Sequence, residues 1–229
     1  MKTIGVLGGL GPQATMDFES RVHRVAQQLI PPHANSGYPP MVVYYYRFPP
    51  FVAGESGAPE LPLRPQAAFL EAAAKIGGLA DFIVITSNFL HLFRAEIEQA
   101  AGREVLSMID VTLAGVNRRQ WRRVGVVGMG DPFVYTQPLQ AIGVANETID
   151  GELRTRLDGA MLKLMEGRDD ADSVHAAREA IDELRGRHVD GIIFGCTELA
   201  LLLGDRALAP DLINPLELVA DAAVKHALT

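Results

Sequence analysis

Cys196 is the only cysteine among 229 residues, and it stands where an apolar run gives way to a helical pattern, in Asp190-Gly191-Ile192-Ile193-Phe194-Gly195-Cys196-Thr197. The same arrangement occurs earlier as Asp81-Phe82-Ile83-Val84-Ile85-Thr86-Ser87-Asn88. Each copy is an acid, a short run fit for a buried strand, then a small polar or sulfur side chain opening a helix. Such a junction aims its residue at the crevice beyond the carboxyl ends of the strands, where α/β proteins bind ligands. Two junctions facing each other would hold a small substrate between a thiol and a hydroxyl. A helix N-terminus favours the thiolate, so the position predicts a lowered pKa for Cys196. Gly195 leaves room for close approach, Thr197 offers a hydroxyl to a substrate, and Glu198 suits the first turn as a cap or dipole partner. The same residues also fit a plainer account, a small buried hydrophobe followed by a capped helix.

A second candidate is Gly9-Leu10-Gly11-Pro12-Gln13-Ala14, which follows the strand-like Thr3 to Leu7. It fits the dinucleotide pattern GxGxxA, but that chemistry needs an acid about 20 residues on, at the end of the second strand. That strand ends in Tyr44-Tyr45-Tyr46-Arg47, with no carboxylate. Pro12 also removes an amide from the helix end that would face a pyrophosphate. Three readings stay open: a tight turn that glycine permits, a turn whose amides hold a small carboxylate, and, least favoured, a nicotinamide site.

The elements that position these residues follow from periodicity. Strands are expected at Thr3–Leu7, Met41–Tyr46, up to Ser87, at Arg123–Val127 and up to Cys196. Helices are expected near 13–30, 66–76, 152–165, 173–187 and 215–226, with Pro31-Pro32 stopping the first. Residues 47–63, rich in proline, glycine and aromatics, read as an ordered loop over a site. Alternation of strand and helix implies an α/β fold with mostly parallel sheets. The grammar repeats, so two duplicated lobes are expected, 1–117 and 118–229, with the C-terminal helix 215–229 free to pack back on the first. Composition narrows the function: a net charge of −7 argues against nucleic acid, and no apolar run approaches a membrane span. No signal-peptide pattern opens the chain, and a single cysteine suits a reducing compartment, so a cytoplasmic protein is expected.

The strings IGVLGGLGPQAT, DFIVITSNFLH and GIIFGCTELALLL resemble the aspartate/glutamate racemase superfamily, over nearly the whole chain. The resemblance implies two pseudo-symmetric α/β lobes, an active site in the cleft between them, no metal or organic cofactor, and frequent dimers. It implies a small amino-acid or carboxylic-acid substrate whose α-proton is exchanged between two cysteines. The first-cysteine pattern, C-N-T-x-H, falls on Ser87-Asn88-Phe89-Leu90-His91, so Asn88 and His91 match while Ser87 and Phe89 depart. Cys196 matches the second cysteine, and Thr197 the substrate-carboxylate contact. Gly9 and Gln13 fall on the glycine turn, although the family's frequent Met and Glu there are Leu10 and Gln13.

These departures set the expectations. A hydroxyl is a far poorer acid and base than a thiol, so Ser87 requires activation, with His91 the neighbouring candidate. Asn88 and Thr197 are expected to hold the α-carboxylate, and Arg47 to offer a bidentate contact to a carboxylate. Asn214 stands where the family has an aspartate, and the loop 128–132 lacks the family's threonine. Tyr44, Tyr45, Tyr46, Phe48 and Phe51 leave an apolar or aromatic substrate open. The leading expectation is a cofactor-independent racemase with Cys196 and Ser87 as its proton-transfer pair. A one-cysteine decarboxylase or isomerase, a non-catalytic binder of a small acid, and a nicotinamide dehydrogenase are the competing readings.

Overall fold

The computed structural model describes residues 1–31, 34, 36–52 and 60–229; part of the expected loop 47–63, namely 53–59, lies outside the described residues, as does Pro32. The chain divides into two compact units, Met1–Met108 with Val219–Thr229, and Ile109–Leu218.

In the first unit β1 (Ile4–Gly8) leads into α1 (Pro12–Leu29), then β2 (Met41–Tyr45), α2 (Ala67–Gly77) and β3 (Phe82–Ile85). A 3-10 turn (Phe89–Phe93) and α3 (Arg94–Ala101) follow. The sheet is parallel, in the order β2-β1-β3, and Val6 pairs with both Val43 and Val84. β1 and β3 are buried along their whole length, which is why they read as unbroken apolar runs rather than alternating ones. Phe69 and Ile76 of α2 pack with Leu7, Ile83 and Ile85, and Leu90, Phe93 and Ile97 extend the same cluster.

The second unit is entered through α4 (Met108–Arg118), then β4 (Arg123–Val127), α5 (Phe133–Ala141), β5 (Ala145–Thr148), α6 (Gly151–Met165) and α7 (Ala171–Gly186). β6 (Gly191–Phe194), α8 (Glu198–Leu203), a 3-10 turn (Gly204–Leu208), β7 (Leu212–Ile213) and α9 (Pro215–Ala227) complete the chain. Its sheet is parallel in the order β5-β4-β6-β7. The first three positions repeat the β2-β1-β3 order. Even β7 has a rudimentary counterpart, a single parallel bridge between Ile83 and Val105.

The acid that opens each repeat has a structural task. Asp81 Oδ2 accepts the amide of Thr3 at 2.6 Å, and Asp190 Oδ2 accepts those of Arg122 and Arg123 at 2.6 and 2.9 Å. Each acid therefore pins the start of the central strand of its sheet. One residue later the repeats differ. Phe82 fills its own slot, ring to ring with His226 at 4.6 Å. In the other unit a side chain on Gly191 would meet Trp121, whose indole lies 2.2 Å from the place a Cβ would take.

The strand-end amides hold the Asp190 carboxyl below its ordinary pKa. Its ionised form thus stabilises the fold above the unfolded carboxylate range, and that contribution fades as pH falls through the depressed value. Asp190→Ala is expected to cost about 1 kcal/mol at pH 7 in urea unfolding, with the gap narrowing below roughly pH 4. An undiminished gap at low pH, or none at pH 7, contradicts the assignment.

Candidate active site

Ser87 and Cys196 occupy equivalent places. Leu7 pairs with Ile85 and Val127 with Phe194 in register, and each reactive residue lies two positions past the strand so paired. The strands stop at Ile85 and Phe194, short of the expected ends at Ser87 and Cys196.

In the first unit the glycine turn is locked from within. Gly9 has φ +87°, and a Cβ there would meet the backbone of Tyr45 and Tyr46 at 2.7 Å, so only glycine fits. Its amide donates to Thr15 Oγ1 at 2.9 Å, and Thr15 shares a buried hydrogen bond of 2.9 Å with Thr86 Oγ1. The expectation that the turn's amides await a carboxylate is therefore corrected at Gly9, whose donor is already used. Neither threonine was singled out from sequence, although Thr86 directly precedes Ser87. Gln13 is half-buried in the first turn of α1, and Asn88 is buried beside a half-buried Ser87. Arg47 is exposed, donating to the Gly9 carbonyl at 3.4 Å and lying over the Tyr45 ring at 5.0 Å.

His91 departs from its expected role. Its Nε2 takes the amide of Met108 at 3.0 Å, and an amide only donates, so Nε2 is unprotonated. The proton then sits on Nδ1 and is donated to the Ser87 carbonyl at 2.9 Å. Both ring nitrogens thus hold backbone, and His91 positions the Ser87 main chain rather than activating its hydroxyl.

In the second unit two turns meet closely. The Gly195 amide donates to the Val127 carbonyl at 2.6 Å, and a Cβ on Gly128 would come within 3.2 Å of the Gly195 backbone. This approach brings the Met129 backbone into hydrogen-bonding reach of the Cys196 sulfur. The Cys196 side chain is half-buried and donates to Glu198 Oε2 at 3.0 Å. Thr197 donates its hydroxyl to the same oxygen at 2.8 Å. The one hydroxyl proton of Thr197 is thereby directed inward, not to a substrate carboxylate. Glu198 is only 2% exposed, and its other oxygen, Oε1, is buried without a hydrogen-bond partner among the described residues. Its carboxylate stands in the first turn of α8, as expected of a dipole partner, but it accepts from the sulfur and Thr197 and makes no side-chain cap.

The expected lowering of the Cys196 pKa is overturned. Burial, then the negative charge of Glu198 and its bond with the thiol, push it well up; the amides of Glu198 and Met129 pull the other way. α8 has six residues, and the dipole of so short a helix is outweighed by a carboxylate at 3.0 Å. In chemical terms the site is a thiol holding its proton against a buried acceptor, with two amides ready for the sulfur once that proton moves. Asn214, the other departure from the sequence pattern, accepts the Leu216 amide at 3.0 Å and so caps α9. Among the described residues no cluster of three His, Cys, Asp or Glu side chains is arranged to hold a metal ion.

Comparison with known proteins supplies the context. The family model described as Asp/Glu/Hydantoin racemase matches residues 7–227. The broad specificity amino-acid racemase RacX of Bacillus subtilis (strain 168) is 24% identical over 203 residues, 87% of this chain and 87% of that protein. An aspartate racemase homologue from Pyrococcus horikoshii OT3 superposes with a TM-score of 0.77 at 19% identity, covering 100% of both chains. The aspartate racemase of Picrophilus torridus gives 0.70 at 20% identity, over 99% of this chain and 94% of its own. The two structural likenesses establish the fold.

Because Cys196 is the only thiol, alkylation by iodoacetamide reports on it alone. Labelling is expected to be slow at pH 7 and to accelerate above the range of an ordinary thiol. Glu198→Gln removes the facing negative charge, so the thiol pKa falls and labelling at pH 8 rises by about tenfold for each unit gained. Rapid labelling of the unaltered protein at pH 7 contradicts this.

Proposed function

Since the chain belongs to the Asp/Glu/hydantoin racemase family, whose model spans residues 7–227, we propose that it is a cofactor-independent amino-acid racemase. The observation that carries this reading is the pairing of the Cys196 thiol with the buried Glu198 carboxylate, 3.0 Å away. Removal of an α-proton needs a thiolate, and Glu198 is placed to take the thiol proton. The amides of Met129 and Glu198 then stabilise the charge on sulfur. Cys196 and Ser87 are assigned as the proton-transfer pair. With His91 engaged by backbone, Ser87 exchanges protons slowly, so the two directions are unequal. Arg47, Asn88 and Gln13 are assigned to the α-carboxylate. The oxygen lone pairs of Thr197 are assigned to the ammonium group. The proposal extends to a cytoplasmic homodimer, supported by the family resemblance and by a lone free cysteine, which suits a reducing compartment.

One observation favours a second reading. A thiol whose pKa is raised stays protonated at neutral pH and so has a proton to deliver, and decarboxylation creates the carbanion without any base. A single-cysteine decarboxylase of a malonate-type acid would use Cys196 alone. Release of carbon dioxide from such an acid distinguishes it.

Transfer of solvent deuterium into the α-position, followed by NMR, tests the racemase. Cys196→Ser is expected to lower wash-in at least about 100-fold. Ser87→Cys is expected to raise inversion and bring the two directions closer to equality. Full activity in Cys196→Ser contradicts the assignment.

A further inference from the structure

We infer that Asp158 of α6 is a positioning residue for the Cys196 sulfur, acting through the loop 128–132 that it holds; its part in turnover rests on the racemase reading above. The groups concerned all belong to the second unit.

The loop between β4 and α5 reads Gly128-Met129-Gly130-Asp131-Pro132, with no hydroxyl or amide side chain to brace it from within. Its ends are fixed by packing. A Cβ on Gly128 would lie 3.3 Å from Pro132 Cβ, and one on Gly195 3.4 Å from the same atom, so Pro132 closes over both turns. The Pro132 carbonyl then accepts the Tyr135 amide at 2.9 Å as α5 begins. The middle of the loop is tied from another element, since Asp158 Oδ1 accepts the Gly130 amide at 3.1 Å. Peptide units are planar, so holding Gly128 on one side and the Gly130 amide on the other confines the Met129 backbone between two fixed points. That backbone supplies the amide that meets the Cys196 sulfur.

α6 is a firm base for this tie. Leu157, Ala160 and Met161, beside Asp158, are buried in one cluster with Val127, Phe194 and Leu199, and Met129 and Cys196 pack against that cluster. The half-buried Asp158 therefore stands on the same body that carries the loop and the thiol. Among the described residues it forms no ion pair, and its hydrogen bond goes to a neutral amide. Its charge is not among the influences on the Cys196 thiol, whereas the Met129 amide is one and draws the pKa down. Asp158 thus reaches the sulfur by placing a donor, not by its own field. A donor directed at sulfur favours the thiolate, so a loop released from α6 leaves the thiol harder to ionise.

Alkylation of the sole thiol by iodoacetamide tests this independently of turnover. Glu198→Gln brings the titration into a convenient range. In that background the midpoint of rate against pH reports the thiol pKa, and the alkaline plateau reports access. Asp158→Ala is expected to raise the midpoint by about one unit, slowing labelling at pH 8 about tenfold. Asp158→Asn, which keeps an acceptor for Gly130, is expected to leave it in place. Alanine suits a helix; should that variant fail to fold, Asp158→Glu shifts the acceptor by one methylene and is expected to move the midpoint the same way. With Glu198 intact, Asp158→Ala is expected to lower kcat for deuterium wash-in about tenfold with KM little changed. An unmoved midpoint in Asp158→Ala overturns the inference even if the unfolding temperature drops, since the role is then structural only. An equal fall of the midpoint in the Ala and Asn variants also overturns it, marking an effect of charge. Absence of wash-in from every amino acid tried with the unaltered protein overturns the racemase reading, while the titration still decides the placement of the sulfur.

Discussion

The hydrogen bond from the Cys196 thiol to the buried Glu198 carboxylate sets the surroundings of the chain's one thiol. Isolated, a cysteine beyond a strand could be simple packing material. Facing a carboxylate that is nearly sealed from solvent, it becomes half of a proton-sharing pair. Among the described residues the second carboxylate oxygen has no hydrogen-bond partner, which leaves its lone pairs open to a proton. The cost of keeping that carboxylate in a buried place is offset by two short donors on one oxygen. Everything around the pair serves to hold it: the close meeting of Gly128 with Gly195, the Met129 amide, and the inward-turned hydroxyl of Thr197.

The two sheets achieve this positioning by the same means. A parallel central strand is pinned at its start by an aspartate and lies between two neighbours. It ends in a glycine turn opposite the reactive junction. The means diverge at the ends of the strands. The first unit braces its turn with a buried pair of threonine hydroxyls, while the second uses close backbone contact and a carboxylate. This divergence separates the two junctions: the Cys196 thiol donates to a buried carboxylate, while the braces of the first unit hold its turn rather than the Ser87 hydroxyl.

Much of the fold is legible in the sequence because buried parallel strands are continuous apolar runs. β5 is not, being the polar edge segment Ala145–Thr148 with most of its residues half-buried. β7 has only two residues, and α5 contains Pro138. Each lacks the periodicity on which a sequence reading depends. The reactive positions were legible as junctions, but the directions of neighbouring side chains were not. Glu198 was expected as a cap and turns instead to the sulfur. His91 reaches an amide 17 positions away, and Thr15 reaches back to take the Gly9 amide. Such contacts depend on tertiary placement, which local spacing does not carry.

The exchange between Phe82 and Trp121 has a topological consequence. In one sheet the slot beside the central strand is filled by the strand that makes it. In the other the filling comes from the connector ahead of β4, steadied by Arg119 over the indole at 5.3 Å. That connector looks like a natural place to open the chain for circular permutation. Opening it beside Trp121 would loosen the plug and leave a void against Gly191, so the least conspicuous stretch of the chain is among its least severable.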